Sequence, residues 1–147
     1  MICLDASVAI KLIVNEEDSD RALALYQSML ATRQPIVAPP LLPIEVTNVL
    51  RQKLRRQPEL TLGTATSLLT ELFALQIQIH NPPELHTLAL RLAVTHDLPA
   101  AYDAHYLALS ELLGCEFWTT DQPLLRRVQD SLPFVRWLGN FVLPGVR

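Results

Sequence analysis

The sequence has 147 residues and a net charge of −3; half of the residues are hydrophobic and 18% are charged. This length predicts a single domain over residues 1–147, and the apolar composition favours an interface with a partner or a second copy. The acidic balance argues against general binding to long nucleic acid through a strongly basic surface, and charged residues break every apolar run before the roughly 20 residues that span a bilayer.

The chain alternates between short apolar runs and helical patterns from its first residues. Residues 1–4 predict a strand that Asp5 closes, and residues 6–14 predict a helix. Residues 18–32 form a clearer amphipathic helix, and residues 36–38 form a strand. A helix from about 41 to 56 follows, because Pro43 is tolerated in a first turn. Its apolar residues, expected to face inward, are Ile44, Val46, Val49, Leu50 and Leu54. The side of the 18–32 helix expected to be apolar contains Ala22, Leu25, Met29 and Thr32.

The second half continues this alternation. Residues 62–75 predict a helix, residues 77–80 a strand, and the two prolines at 82 and 83 open a helix that reaches residue 96. A helix over 101–113 ends at Gly114, a residue favoured just past a helix end. Strands at 116–119 and 134–137 enclose a short helix at 122–128. Alternating strands and helices predict an α/β fold, a three-layer α/β/α sandwich with a central, mainly parallel sheet.

The N-terminal residues and the two cysteines indicate the cellular compartment that we expect for the protein. The first residues lack a basic leader before their apolar run, which argues against a signal peptide and favours a cytoplasmic protein. Cys3 and Cys115 lie in or beside apolar strands, and in a reducing compartment they are expected to be free, buried thiols.

Four acidic residues occupy positions that a parallel sheet brings together. Asp5 and Asp121 each follow a strand, and Glu45 and Asp103 lie in the opening turns of helices. Ligands bind beyond the carboxyl ends of the strands in such folds, so we expect these carboxylates to meet there. Two negative charges about 4 Å apart repel each other by on the order of 4 kcal/mol near a protein surface, so the cluster needs a cation or shared protons.

The ligand types around the acids predict the metal and the chemistry. The candidates are oxygens, including the hydroxyls of Ser7, Thr119 and Thr120, and no cysteine or histidine has zinc-ligand spacing, which favours Mg²⁺ or Mn²⁺. Carboxylates that hold such ions polarise a phosphate and activate water, so phosphodiester hydrolysis is the expected reaction. Taken singly, the aspartates have ordinary explanations as helix caps or partners of a helix dipole. The combination of four acids favours a catalytic site.

Four segments of the chain resemble, in order and spacing, the signature regions of PIN domains, and most closely those of VapC-type toxins. They are Leu4-Asp5-Ala6-Ser7-Val8, Glu45-Val46-Thr47-Asn48-Val49-Leu50, Tyr102-Asp103-Ala104-His105-Tyr106-Leu107-Ala108-Leu109 and Thr119-Thr120-Asp121. Ala101 departs from the pattern, since many relatives have a hydroxyl residue there.

The resemblance implies a function and a set of site residues. The catalytic and metal-binding set would consist of Asp5, Glu45, Asp103 and Asp121. Three polar residues would support it, namely Ser7, Asn48 and Thr119. It further implies a Mg²⁺- or Mn²⁺-dependent endoribonuclease that is the toxin of a toxin-antitoxin pair, a homodimer, and a small cognate antitoxin as its partner.

Other residues carry weaker expectations. Lys11, Arg51 and Arg55 are candidates for contacts with RNA phosphates, although the basic end of the 41–56 helix equally suits a solvated helix terminus. We expect four aromatic side chains to lie mostly in the core, namely Tyr102, Tyr106, Trp118 and Trp137. Among the histidines only His105 has a position near the acids. The apolar faces of helices 18–32 and 62–75 suit either an interface or ordinary core packing.

Two other functions compete with the nuclease hypothesis. A phosphoacceptor receiver domain is also an α/β sandwich with an acidic pocket, but it needs an acidic pair after the first strand and a lysine near the last strands. Asp5 stands alone, and the final strand offers Arg136. The second alternative is a catalytically silent PIN-like module that binds RNA or protein, and the complete set of acids argues against it.

Overall fold

The computed structural model describes residues 1–145. Five strands alternate with helices along the described chain, in the order that the sequence predicts. The strands are β1 (Ile2–Leu4), β2 (Ile36–Ala38), β3 (Gln78–Ile79), β4 (Glu116–Thr119) and β5 (Val135–Trp137). The helices are α1 (Ala6–Ala9), α2 (Ser19–Ala31), α3 (Leu41–Arg56), α4 (Leu62–Ala74), α5 (Leu85–Thr95), α6 (Tyr102–Leu113) and α7 (Gln122–Val128), with 3₁₀ turns at Ile10–Leu12 and Leu138–Asn140.

The strands form one parallel sheet in the order β3-β2-β1-β4-β5. The chain moves outward from β1 through β2 to β3, and then returns to the other side of β1 to add β4 and β5. The order therefore reverses between β1 and β4, where Leu4 pairs with Trp118. Crevices at such reversals are the usual ligand sites of open parallel sheets.

Helices cover both faces of the sheet. Alternate residues of a strand point to opposite faces, so neighbouring residues of β1 pack against different helices. Ile2 and Leu4 of β1 pack with Leu25 of α2, whereas Cys3 between them packs with Val46 of α3 and Leu107 of α6. The predicted α/β/α sandwich is thereby confirmed, and its sheet is wholly parallel among the described strands.

The buried face of α3 differs from the predicted one. Leu42, Val46 and Leu50 are buried at a spacing of four residues, so they form one stripe along the helix. The prediction that Ile44 faces inward is wrong. Its side chain is 65% exposed, because Ile44 lies two residues from Leu42 and hence on the opposite side of the helix. On α2, Thr32 also departs from the predicted apolar side, since it caps the helix end and its hydroxyl donates to the carbonyl of Ser28.

Two predicted elements are shorter in the structure. The predicted helix over 6–14 is α1 followed by a 3₁₀ turn. The strand expected over 77–80 is reduced to Gln78 and Ile79, both exposed at the sheet edge. Gly114 ends α6 as predicted, with φ of 63° in the left-handed region that glycine adopts without strain.

Both cysteines are buried and free, as the sequence predicts. Burial raises the pKa of each thiol. Among residues 1–145, none of the helices combines the length and the apolar character that a membrane crossing requires.

Candidate active site

Asp5 lies where β1 ends and α1 begins, and hydrogen bonds fix its carboxylate from both sides. Oδ1 accepts from the backbone N–H groups of Ser7 and Val8, at 2.7 and 3.1 Å, and from the Ser7 hydroxyl. Oδ2 accepts from the hydroxyl of Thr119 at 2.5 Å. Burial raises the pKa of Asp5, and these four hydrogen bonds oppose the rise because they stabilise the charged form.

Thr119 connects the carboxyl ends of β1 and β4. Its fully buried hydroxyl donates to Asp5 and accepts from the backbone N–H of Asp121 at 2.9 Å. The Ser7 hydroxyl makes a second link, since it accepts from the backbone N–H of Thr120 at 3.0 Å. Asp121 caps α7 by accepting from Leu124 N–H at 2.9 Å. The two strand ends that meet at the reversal of strand order are thus joined by side-chain hydrogen bonds.

Glu45 is held by a residue whose polar role the sequence analysis missed. The hydroxyl of Tyr106 donates to Oε1 of Glu45 at 2.8 Å, and the Tyr106 ring stacks on Phe117 with centroids 5.8 Å apart. Tyr106 is 1% exposed, so its expected core position is confirmed. The spacing of three residues from Asp103 to Tyr106 places both on one face of α6, and this was the available signal.

The carboxylates interact electrostatically. Burial is the main reason that the pKa of Glu45 rises to about 7, and the charges of Asp5 and Asp103 raise it further, while the Tyr106 hydrogen bond lowers it. Burial likewise raises the pKa of Asp103 to about 6, with added repulsion from Asp5 and Asp121. Asp103 is therefore near enough to Asp5 and Asp121 to be repelled by both, and Glu45 is repelled by Asp5 and Asp103.

The donor set fits a hard divalent cation. The side chains are carboxylates and hydroxyls, and the repulsion among the four acids is what a cation would relieve. As they stand, no three His, Cys, Asp or Glu side chains within residues 1–145 are already arranged around an ion position. Asp5, Glu45, Asp103 and Asp121 are the residues that would hold the ion.

An open cavity of about 510 Å³ lies beside the acids. Its polar lining residues are Glu45, Asn48 and Asp103, and Asn48 is exposed. Ile44 and Tyr102 also line it. The prediction that Tyr102 lies mostly in the core is wrong, because its side chain is 65% exposed. Tyr102 is the first residue of α6 and precedes the buried part of that helix. The other lining residues are Leu41, Val49, Pro99 and Ala100.

The three candidate RNA-binding cations differ in their surroundings. The ammonium of Lys11 donates to Glu16 at 3.1 Å and to the carbonyl of Glu17 at 2.8 Å, and its side chain is only 12% exposed. Arg51 and Arg55 are exposed on α3, the helix that carries Glu45. The ring of His105, the histidine expected near the acids, hydrogen-bonds Ala101 and His86.

Comparison with known proteins identifies the fold and the family. The family model described as the PIN domain matches residues 2–130. Among curated proteins, none matches the chain.

Three solved structures are similar to the chain at low sequence identity. Pyrobaculum aerophilum PAE2754 is 22% identical with a TM-score of 0.69, covering 94% of this chain and 89% of that protein. Mycobacterium tuberculosis VapC20, described as a toxin that cleaves the sarcin-ricin loop, is 17% identical with a TM-score of 0.58, covering 82% and 92%. FitAB, solved bound to an IR36 DNA fragment, is 18% identical with a TM-score of 0.63, covering all of both chains.

Proposed function

Because the chain belongs to the PIN-domain family, we propose that it is a Mg²⁺- or Mn²⁺-dependent endoribonuclease that hydrolyses RNA phosphodiester bonds. The observation that carries the proposal is that Asp5 and Asp121 follow the two strands at the reversal of strand order, while Asp103 is repelled by both of them and Glu45 by Asp5 and Asp103. Carboxylates of this kind hold divalent ions in phosphodiester-cleaving sites. The metal, when bound, supplies charge neutralisation at phosphorus and a more acidic water molecule.

The protein's own residues keep the carboxylates in place. Asp5 is fixed by donors from Ser7, Val8 and Thr119, so its oxygens do not have to reorganise when substrate arrives. Tyr106 orients Glu45 through one hydrogen bond from the core. Ser7 and Thr119 therefore act as positioning residues for Asp5, and Asn48, exposed in the adjoining cavity, is proposed to support the site on the substrate side.

The proposed partners follow from the surface. Arg51 and Arg55 are exposed on the helix that carries Glu45, which supports a role in contacts with RNA phosphates. Lys11 has a subordinate part because Glu16 holds its ammonium. Large apolar side chains are exposed on α4 and α5, which suits a homodimer and a small antitoxin protein. They are Leu62 at 72%, Phe73 at 68%, Leu90 at 63% and Val94 at 75%. The toxin role rests on the likeness to VapC-type proteins, and a cytoplasmic location would give access to RNA.

The second candidate is a catalytically silent module that binds RNA or protein with the same fold. The repulsion at the site disfavours it, since a binding module has no need of two carboxylates, Glu45 and Asp103, whose pKa values are raised by burial and by neighbouring acids. The two functions are separated by cleavage and by divalent-ion binding.

The test is cleavage of a mixed pool of single-stranded and structured RNA with Mn²⁺ or Mg²⁺, with EDTA as the metal-free control. We expect cutting that needs the ion and that falls by two orders of magnitude or more, on the order of the loss of a catalytic group, in Asp5→Asn. Asp20→Asn is the matched control, because Asp20 is an exposed aspartate in the first turn of α2. Cutting that persists in EDTA or in Asp5→Asn would contradict the proposal, and absent cutting together with absent ion binding would favour the binding module.

A further inference from the structure

Two histidines form a pair between α5 and α6 that the proposed nuclease site does not use. Nδ1 of His86 lies 3.0 Å from Nε2 of His105. The ring centroids are 5.2 Å apart, with 65° between the ring planes. His86 is exposed and His105 is half-buried, so solvent and small ions reach the pair.

The backbone of α6 sets the tautomer of His105. Its Nδ1 lies 2.6 Å from the carbonyl oxygen of Ala101, and only a protonated ring nitrogen can donate to that oxygen. Nε2 of the neutral ring therefore carries the lone pair and faces His86. Metal-ligating histidines are oriented in the same way, with one ring nitrogen held by a carbonyl or carboxylate while the other nitrogen binds the ion.

The distance between the two nitrogens suits two ligands of one ion. With Zn–N bonds of about 2.05 Å, two nitrogens on the same ion lie about 3.3 Å apart at a tetrahedral angle and about 2.9 Å apart at a right angle. The observed 3.0 Å falls between these values. Because the nitrogens now share a hydrogen bond along the line between them, the rings must turn so that both lone pairs point to the ion.

We propose that His86 and His105 chelate one transition-metal ion, of the class Zn²⁺, Ni²⁺ or Cu²⁺. Imidazole nitrogen selects these ions, whereas Mg²⁺ and Mn²⁺ prefer the oxygens of the acidic cluster. Since no third His, Cys, Asp or Glu joins the pair within residues 1–145, water completes the coordination. His86 gives up the proton on Nδ1 and takes one up on Nε2, so both rings stay neutral and the ion gains two nitrogen ligands.

The ion would connect α5 to the first turns of α6, the helix that carries Asp103. The unfolded chain does not hold the two nitrogens together, so binding stabilises the folded state by mass action. Transition-metal ions are therefore expected to raise the midpoint of thermal unfolding, whether or not the protein cuts RNA.

The test is calorimetric titration of Ni²⁺ and Zn²⁺ into the full chain with excess Mg²⁺ present to occupy the oxygen ligands. We expect one ion per chain, and binding at least tenfold weaker in His86→Asn and in His105→Asn. His96→Asn is the matched control, because His96 lies at the other end of α5 and should bind like the wild type. Unchanged binding in both pair variants, or binding lost in Asp5→Asn and retained in His86→Asn, would overturn the proposal.

Electron paramagnetic resonance of bound Cu²⁺ supplies a second readout. Coupling to two imidazole nitrogens is expected in the wild type, and coupling to fewer nitrogens in each pair variant. His86 is exposed, so its variant should fold even if His105→Asn does not. A stoichiometry of one ion per two chains would overturn the proposal, because the ion would then join copies instead of the two helices of one chain.

Discussion

Tyr106 on α6 donates a hydrogen bond of 2.8 Å to Glu45 on α3, and this bond links the buried core to the acidic cluster. The bond lowers the pKa of Glu45 against the larger effect of burial. A hydrogen bond to a charged group contributes about 1.5–3 kcal/mol. It is therefore strong enough to determine how much of Glu45 is ionised near neutral pH.

Replacing Tyr106 by Phe should move the acid limb of the cleavage pH profile upward by roughly one pH unit, since about 1.36 kcal/mol corresponds to one pKa unit. The phenylalanine keeps the stacking on Phe117, and the pKa of Glu45 rises because its charged form loses a donor. Tyr26→Phe is the matched control, since Tyr26 donates to the carbonyl of Leu75. Equal profiles for the two variants would refute a role for Tyr106 in positioning Glu45.

The metal-free protein should lose stability as the pH rises from about 4 to about 7. Folding raises the pKa of Asp5, of Glu45 to about 7 and of Asp103 to about 6, so the folded chain binds more protons than the unfolded chain in this window. Thermal unfolding in EDTA should therefore show a higher midpoint at pH 5 than at pH 7.5.

Two additions test the origin of this slope. Mg²⁺ or Mn²⁺ should reduce it, because a cation relieves the repulsion among the carboxylates, and Asp103→Asn should reduce it without metal. A slope that persists unchanged in both experiments would show that other groups dominate the pH dependence.

Thr119→Val should weaken both the fold and cleavage, whereas Thr119→Ser should retain most of both. Valine has the same shape but cannot donate to Asp5 or accept from Asp121 N–H, and a buried group left without its partner costs about 1–3 kcal/mol. Denaturant unfolding measures the stability, and cleavage at a temperature where both variants are folded measures the activity. Equal loss in the two variants would indicate that shape matters more than the hydroxyl.

Arg51→Ala and Arg55→Ala should raise KM for RNA and make binding less dependent on salt, because each removes an exposed cation from α3. Lys11→Ala should act mainly on stability, since its ammonium holds Glu16 and the carbonyl of Glu17. Cleavage rates at several salt concentrations, compared with unfolding midpoints, separate the two effects. An unchanged salt dependence in both arginine variants would remove α3 from the proposed RNA path.

The sequence predicted the sheet and the positions of the acids because both depend on local patterns. A strand followed by Asp5 and a strand followed by Asp121 place two carboxylates at one edge of any parallel sheet. The order of helices and strands was also readable, since apolar periodicity and glycine or proline residues mark their limits.

The contacts between distant segments could not be predicted from these patterns. The hydrogen bond between Thr119 and Asp5 spans 114 residues, and that between Tyr106 and Glu45 spans 61. Each depends on how strands and helices pack, which periodicity does not encode. The predicted burial of Ile44 and Tyr102 was wrong for a related reason. A large hydrophobic residue beside an open cavity gives the same sequence pattern as one in the core.

The short outer strands limit how this protein can associate with other chains. β3 has two residues, and β5 has three, with Arg136 of β5 paired to Glu116 at 2.9 Å. Brief edges with charged side chains offer little backbone for another strand to extend, which protects a sheet against edge-to-edge aggregation. Growth into fibrils through these edges is therefore disfavoured, and self-association should proceed through helix faces such as those that expose Phe73 and Val94.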